Sequence, residues 1–272
     1  MAFTITIPQT DLDLNKTLRS GQVFGWRHHE NKWIGFIKNH IAIIEQTGDT
    51  IKVDGEVSKE DFEYYFDLYA DYSPLLNADL NDYERHCIEN GKGIRLLNQD
   101  FHETVITMLI TPRNRIENTE RICNALRIRY GKMCIFELDG EELELCAFPT
   151  VEELRNFNVD NAREIGCGFR AFNIVAAVTW LSNHPELPED WDDIDDFDVI
   201  TYLQDRPGIG AKVANCIGLF TMGRKNMFPI DVHLERIIER EFNGDIQLSR
   251  YNGFAGLMQQ YMYYDEAIKD RR

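Results

Sequence analysis

The chain has 272 residues, of which 43% are hydrophobic and 28% charged, and its formal net charge is −17 at pH 7. This length can bury a large core, as one big domain or two smaller ones, and the composition is that of a globular protein. No apolar run is long enough for a transmembrane helix and no secretory leader pattern is present, so we expect neither a membrane span nor export. The acidic balance argues against broad binding to nucleic acid, because neutralising phosphates requires lysine and arginine.

The first 55 or so residues contain short alternating runs broken by Gly, Asn and Asp, which predict an antiparallel sheet. The runs are Phe3–Ile7, Val23–Trp26, Trp33–Phe36 and Ile41–Ile43. Ser58, three residues before Asp61, then predicts a capped helix start. From there the pattern is mainly helical, with an acidic connection at His184–Asp193. We therefore predict an α+β protein, with an N-terminal antiparallel sheet domain over residues 1–95 and a mostly helical domain over residues 96–272.

The segment from Asp205 to His233 has the most informative spacing in the chain. Its Pro207-Gly208-Ile209-Gly210 run cannot continue a helix. The apolar positions that follow, Val213, Ile217 and Phe220, predict that a new helix begins at once. A glycine turn at a helix N-terminus exposes backbone N–H groups and forms an anion site. Taken alone, this turn is more often a plain connection between two helices.

Lys212 and Cys216 lie one helical turn apart and are expected to face one cavity beside the anion site. A partly dehydrated lysine is more readily neutral, and a neutral amine attacks a carbonyl-like carbon to form a Schiff base. Asp231 is predicted to cap the next helix, and there it can also offset positive charge developing on a sugar. The alternatives are a solvated surface lysine and a capping aspartate with no further role.

The whole segment resembles the helix-hairpin-helix and catalytic loop of the DNA glycosylase superfamily, most closely the 8-oxoguanine DNA glycosylases. The resemblance implies that Lys212 is the nucleophile, Asp231 the catalytic carboxylate and Cys216 a packing surface for the flipped base. It also implies phosphate contacts from His233 and from the amides of Gly208, Gly210 and Val213.

Three further motifs match the same family in the same order. Ser20–Trp26 resembles the motif whose glycine, here Gly21, offers its carbonyl to the N7 hydrogen that 8-oxoguanine has and guanine lacks. Gly166–Ala171 resembles the aromatic–arginine wedge that buckles the duplex, which places Phe169 and Arg170 on DNA. Gly253–Gln259 resembles the helix that closes the base pocket. There the resemblance assigns base reading to Gln259 and base stacking to Tyr263.

The chain departs from the family pattern where the opposite strand would lie. The asparagine pair that fills the space left by the flipped base falls on Arg113 and Asn114. The arginine that reads the opposite cytosine falls on Asn118, so the resemblance does not establish a strict preference for cytosine.

The resemblance implies a bifunctional DNA glycosylase and AP lyase that excises 8-oxoguanine from duplex DNA in base excision repair. We expect a monomer that needs no metal or other cofactor, apart from an optional monovalent cation on the hairpin backbone. The expected location is the cytoplasm, at the nucleoid in a prokaryote. Two alternatives stay open: a monofunctional alkylpurine glycosylase that activates water, and a non-catalytic helix-hairpin-helix DNA-binding protein. No cysteine follows Cys216, which argues against the iron–sulfur branches of the superfamily.

Overall fold

The computed structural model describes residues 2–187, 191 and 193–268. Its N-terminal part is a five-stranded antiparallel sheet with the strand order β1-β5-β4-β3-β2. The strands are β1 (Phe3–Thr6), β2 (Arg27–His29), β3 (Lys32–Ile37), β4 (His40–Thr47) and β5 (Thr50–Gly55). The predicted sheet is thus confirmed.

One face of the sheet is buried by the first two helices, α1 (Leu14–Arg19) and α2 (Lys59–Tyr65). Phe62, from α2, packs with Ile44 and Ile51 in a compact apolar cluster. The predicted start of α2 is confirmed, because the Ser58 hydroxyl accepts a hydrogen bond from the Asp61 amide at 3.0 Å.

The strand expected over Val23–Trp26 is wrong, since the strand in this region begins at Arg27. The alternation of apolar residues there has another cause. Val23 packs in the sheet cluster, whereas its neighbour Phe24 packs in the larger helical cluster. The segment crosses between two cores, and a chain that does so buries successive side chains on opposite sides as a strand does.

The rest of the described chain is mainly helical, as predicted. The helices are α3 (Ser73–Leu76), α4 (Asp82–Gly91), α5 (Phe101–Ile110), α6 (Ile116–Tyr130), α7 (Val159–Glu164), α8 (Ala171–Asn183), α9 (Asp196–Gln204), α10 (Ala211–Thr221), α11 (Val232–Phe242) and α12 (Ala255–Tyr263). Helix α10 is central: it packs against α5 and α9, while α5 packs against α8 and α12 against α4. Since α3 and α4 also pack in this larger cluster, the boundary at residues 95–96 stays a prediction.

A two-stranded hairpin, β6 (Met133–Leu138) with β7 (Glu141–Cys146), interrupts the helices and was not predicted. Its turn is Asp139-Gly140, and both residues have positive φ, +53° and +84°. An Asp-Gly pair between alternating runs is a strong hairpin signal, so the sequence did contain the information.

No helix among the described residues is long and apolar enough to cross a membrane. Part of the acidic connection predicted at His184–Asp193 lies outside the described residues, namely 188–190 and 192. All six cysteines are free thiols.

Candidate active site

A cavity of about 670 Å³ lies where the Ser20–Phe24 loop, the α5–α6 turn, α10, the start of α11 and α12 meet. Most of the residues singled out from the sequence line it: Gly21, Arg113, Asn114, Gly208, Gly210, Lys212, Val213, Cys216, Asp231, His233, Gln259 and Tyr263. Asn118, Phe169 and Arg170 do not line it. Residues more than 240 positions apart in the chain therefore converge on one concave site.

The glycine turn forms part of one wall of this cavity. Gly208 has φ +81°, and a Cβ there would lie 2.5 Å from Asn173 Nδ2, so a larger residue would be both strained and obstructed. Gly210 is the N-cap of α10 and supplies no side chain to the helix end. The amides of Ala211, Lys212 and Val213 donate to no residue in the described part of the chain. These free N–H groups can hold a phosphate oxygen.

Lys212 is half-buried on the first turn of α10. Its Nζ lies 3.4 Å from Thr111 Oγ1 and is within hydrogen-bonding reach of the Cys216 thiol. It forms no ion pair with any described carboxylate. An amine that is not neutralised by a carboxylate can approach a reacting carbon without first breaking an ion pair.

Cys216 is 3% exposed, and burial raises the pKa of its thiol although the nearby Lys212 opposes this. Cys216 is therefore an uncharged thiol at neutral pH. Such a small, polarisable group can pack against a base. As an uncharged thiol it does not compete with the lysine as a nucleophile.

Asp231 caps α11, as predicted. Its Oδ1 accepts hydrogen bonds from the amides of His233 at 3.0 Å and Leu234 at 3.1 Å. Its Oδ2 bonds to no other described residue, so one carboxylate oxygen is left for the cavity. The loop that carries Asp231 is tied to α10, because the Phe228 amide donates to Asn215 Oδ1 at 3.0 Å. The carboxylate is thus held in place relative to the helix that bears the lysine.

The opposite wall is formed by Gly21 and α12. Gly21 has φ +83°, and a Cβ there would lie 3.1 Å from Tyr263 Cε1. The Tyr263 ring also meets the His233 ring edge-on, with centroids 5.8 Å apart. Gln259 is 5% exposed, and its Oε1 has no hydrogen-bond partner among the described residues. A buried acceptor without a partner costs about 1–3 kcal/mol, so this atom indicates a ligand that donates a hydrogen bond.

The predicted wedge lies beside the cavity. Phe169 is 70% exposed on a short 3₁₀ turn, whereas Arg170 is 8% exposed. The Arg170 guanidinium stacks on the Phe169 ring at 4.3 Å and donates through Nε to the Pro112 carbonyl at 2.9 Å. In this conformation, therefore, Arg170 supports Phe169 and does not itself project from the surface. Its predicted contact with DNA stays a prediction.

Asn118 also lies outside the cavity and is engaged within the protein. Its Nδ2 donates to Asn114 Oδ1 at 2.6 Å, and its Oδ1 accepts two bonds from Arg121 at 2.9 and 3.0 Å. Arg113 is exposed at the α5–α6 turn with φ +52°.

Sequence reasoning missed two contributors to the site. Thr111 receives the Lys212 contact, and Gln260 donates from α12 to the Ser20 carbonyl at 2.8 Å. Nothing in the local sequence identifies either of them, because both contacts join segments more than 100 residues apart.

Known proteins resemble this chain in sequence and in fold. Residues 4–105 match the family model for the 8-oxoguanine DNA glycosylase N-terminal domain. An N-glycosylase/DNA lyase of Saccharomyces cerevisiae is 32% identical over 162 residues, which is 56% of this chain and 42% of that protein. The match thus spans about two fifths of the yeast relative's length.

Two solved structures resemble nearly the whole chain. The structure of MBOgg1 in complex with a low-affinity DNA ligand has a TM-score of 0.86 at 27% identity, over 97% of this chain and 94% of that one. An 8-oxoguanine glycosylase/lyase of Clostridium acetobutylicum, in complex with double-stranded DNA, has a TM-score of 0.81 at 27% identity, over 94% and 91%. The chain is therefore similar to 8-oxoguanine DNA glycosylases, by sequence over residues 4–105 and by fold over nearly its whole length.

Proposed function

We propose that this protein is a bifunctional DNA glycosylase and AP lyase that flips 8-oxoguanine out of duplex DNA and excises it in base excision repair. The observation that carries the proposal is the convergence on one cavity of three groups: the Lys212 amine, the fixed Asp231 carboxylate and the unpaired Gln259 oxygen. The Clostridium acetobutylicum relative is described with double-stranded DNA that contains cytosine opposite 8-oxoguanine, which supports the same substrate for this chain.

The flipped base is proposed to lie between Cys216 and Tyr263. Flipping costs a few kcal/mol of lost stacking, which contacts to the extruded base and to the DNA backbone offset. Gln259 Oε1 accepts a hydrogen bond from the base edge, and the Gly21 carbonyl accepts one from N7–H. The free amides at the start of α10, together with His233, hold the backbone phosphate.

The reaction then proceeds at the sugar. The Lys212 amine attacks C1′, the glycosidic bond breaks, and the base leaves with its bonding electron pair. The Asp231 carboxylate stabilises the positive charge that develops on C1′ and the ring oxygen. Opening of the sugar ring gives a Schiff base on Lys212. Loss of a C2′ proton then expels the 3′ phosphate by β-elimination and nicks the strand.

We propose that this chemistry needs no cofactor, since the protein supplies both the nucleophile and the stabilising charge. Undiminished base release in the presence of a chelator is the expected result. The monovalent cation on the hairpin backbone and the monomeric state remain predictions. We also retain the cytoplasm, and the nucleoid of a prokaryote, as the proposed location, because the DNA substrate is found there.

Borohydride trapping tests the proposal. Wild-type protein incubated with an 8-oxoguanine duplex and borohydride is expected to give a covalent protein–DNA adduct that maps to Lys212. Lys212→Gln is expected to bind the duplex but to lose adduct formation and base release by at least about 10³-fold. Lys132→Gln, at an exposed lysine on the rim of the β6–β7 hairpin, is the matched control and should behave as wild type.

The outcomes separate the alternatives. Base release without an adduct would indicate a monofunctional glycosylase that activates water. Lesion binding without any base release would indicate a non-catalytic DNA-binding protein. Full turnover by Lys212→Gln would overturn the assignment of the nucleophile.

A further inference from the structure

We propose that Gln260 is a positioning residue for lesion recognition, which ties the Ser20–Gly21 peptide to α12 and thereby fixes Gly21 relative to Gln259. The proposal rests on the function given above. Gln260 is 2% exposed, and its Nε2 donates to the Ser20 carbonyl at 2.8 Å. This bond joins residues 240 positions apart and connects the Ser20–Gly21 loop to α12, the two segments that form one wall of the cavity.

Two adjacent glutamines on α12 have opposite hydrogen-bonding states. Gln259 leaves its Oε1 unpaired, whereas Gln260 is engaged by the loop. Successive helical side chains point about 100° apart, so one of the pair can face the ligand while the other holds the wall. A buried amide costs free energy unless it is bonded, so the Ser20 contact explains why a polar side chain is tolerated at position 260.

The same loop is held independently by the segment between α4 and α5. Gln22 is fully buried, and its Nε2 donates at 2.9 Å both to Ser20 Oγ and to the Arg95 carbonyl. Gln99 donates to the Gln22 carbonyl at 2.9 Å. These bonds hold the loop together and attach it to residues 95–99, and among the described residues only the Gln260 bond attaches the Ser20 carbonyl to α12. Loss of Gln260 should therefore leave the loop folded but free to shift relative to Gln259.

Gly21 itself provides little restraint. Its φ of +83° is one of several conformations open to glycine. No described residue donates a hydrogen bond to its carbonyl, so that oxygen has no internal bond to orient it. A fixed Ser20 carbonyl restrains the peptide that precedes Gly21. Because hydrogen-bond strength falls steeply with poor alignment, such a restraint affects how well the Gly21 carbonyl meets a donor.

The test uses Gln260→Met, which keeps the shape of an unbranched side chain and removes the donor. In a Lys212→Gln background, which prevents turnover, affinity is measured for duplexes that contain 8-oxoguanine or 7-deaza-8-oxoguanine. The second base has no N7–H donor. Gln260→Met should raise the Kd for the 8-oxoguanine duplex about 10-fold and change the Kd for the 7-deaza duplex by less than about 2-fold.

Two controls separate positioning from a general structural effect. AP lyase activity on a preformed abasic duplex, measured with Lys212 intact, should stay within about 2-fold of wild type, because it needs no base contact. Gln46→Met removes two bonds inside the sheet region, one from Nε2 to the Leu12 carbonyl at 2.7 Å and one from the Leu14 amide to Oε1 at 2.8 Å. It should leave the preference between the two bases unchanged.

Equal effects of Gln260→Met on both duplexes, or a parallel loss of lyase activity, would overturn the positioning role. No effect on either duplex would overturn it as well. Failure of the proposed function gives a different result, since wild-type protein would then fail to release 8-oxoguanine at all.

Discussion

The base pocket differs from the wedge side of the proposed DNA surface, which consists of Asn118, Phe169 and Arg170. The difference lies in whether their polar groups have hydrogen-bond or ion-pair partners within the protein. In the pocket, Gln259 Oε1 and the Gly21 carbonyl have no internal partner among the described residues, and Lys212 has no ion pair. On the wedge side, Arg170 is bonded to Pro112, and Asn118 is bonded to both Asn114 and Arg121.

This difference predicts how strongly the protein selects the damaged base and how strongly it selects the base opposite. The pocket is preorganised for a ligand, so binding there satisfies groups that are otherwise costly. On the wedge side, Arg170 and Asn118 must give up internal bonds before they can contact DNA, so much of the gain from a new polar contact is cancelled. We therefore expect strong selection of the damaged base and weak selection of the base opposite.

The largest expected effect concerns the charge of Asp231 in the pocket. Asp231→Asn retains an N-cap, since asparagine caps helices about as well as aspartate, but it removes the charge that faces the sugar. The rate of base release should fall about 10²-fold or more, with little change in the thermal unfolding midpoint. Single-turnover kinetics and thermal unfolding provide the two measurements. A rate within about 3-fold of wild type would show that the carboxylate charge has no catalytic role.

The wedge is tested next. Phe169→Ala should weaken binding to lesion duplex about 10-fold, because a stacked aromatic contributes about 1–3 kcal/mol. Folding should be unaffected, since the ring is 70% exposed. Phe197→Ala is the matched control, because Phe197 is 75% exposed on α9 and lines no part of the cavity. Equal losses in the two variants would remove the wedge role from Phe169.

A smaller effect concerns the opposite base. Wild-type protein should excise 8-oxoguanine opposite cytosine less than about 10-fold faster than opposite adenine, and Asn118→Arg should widen this ratio about 5-fold. Excision rates from duplexes with each of the four opposite bases measure it. A wild-type preference above about 100-fold would contradict the comparison, because the internally bonded wedge side would then be reading cytosine.

The smallest expected effect is on the pH dependence of stability, and it involves one cysteine in the pocket and one beside the wedge. Burial raises the pKa of the Cys216 thiol in the pocket and raises that of Cys167 beside the wedge from 9.0 to about 11. Above pH 9 the unfolded chain therefore loses thiol protons that the folded chain keeps, so the free energy of unfolding should decrease as pH rises from 9 towards 11. Urea denaturation at several pH values measures this slope. The slope should be shallower in Cys216→Ala, and an unchanged slope would contradict the buried-thiol explanation.

Much of the site could be predicted from local patterns. The glycine turn, the helix that follows it and the Asp231 cap all depend on short-range chemistry, and the structure places them as expected. One predicted strand was wrong, and one hairpin was missed. The Val23–Trp26 alternation reflects a crossing between two cores, and the β6–β7 hairpin was missed although its Asp139-Gly140 turn was visible in the sequence.

The sequence by itself determined the order of sheet and helices and the types of residue available for chemistry, because turns, caps and periodicity act over a few residues. Only the tertiary structure decided which side chains are left unpaired. The bonds from Gln260 to Ser20, from Arg170 to Pro112 and from Lys212 to Thr111 each span at least 58 residues. Whether such a group is satisfied depends on the packing of whole elements, and no local pattern records that.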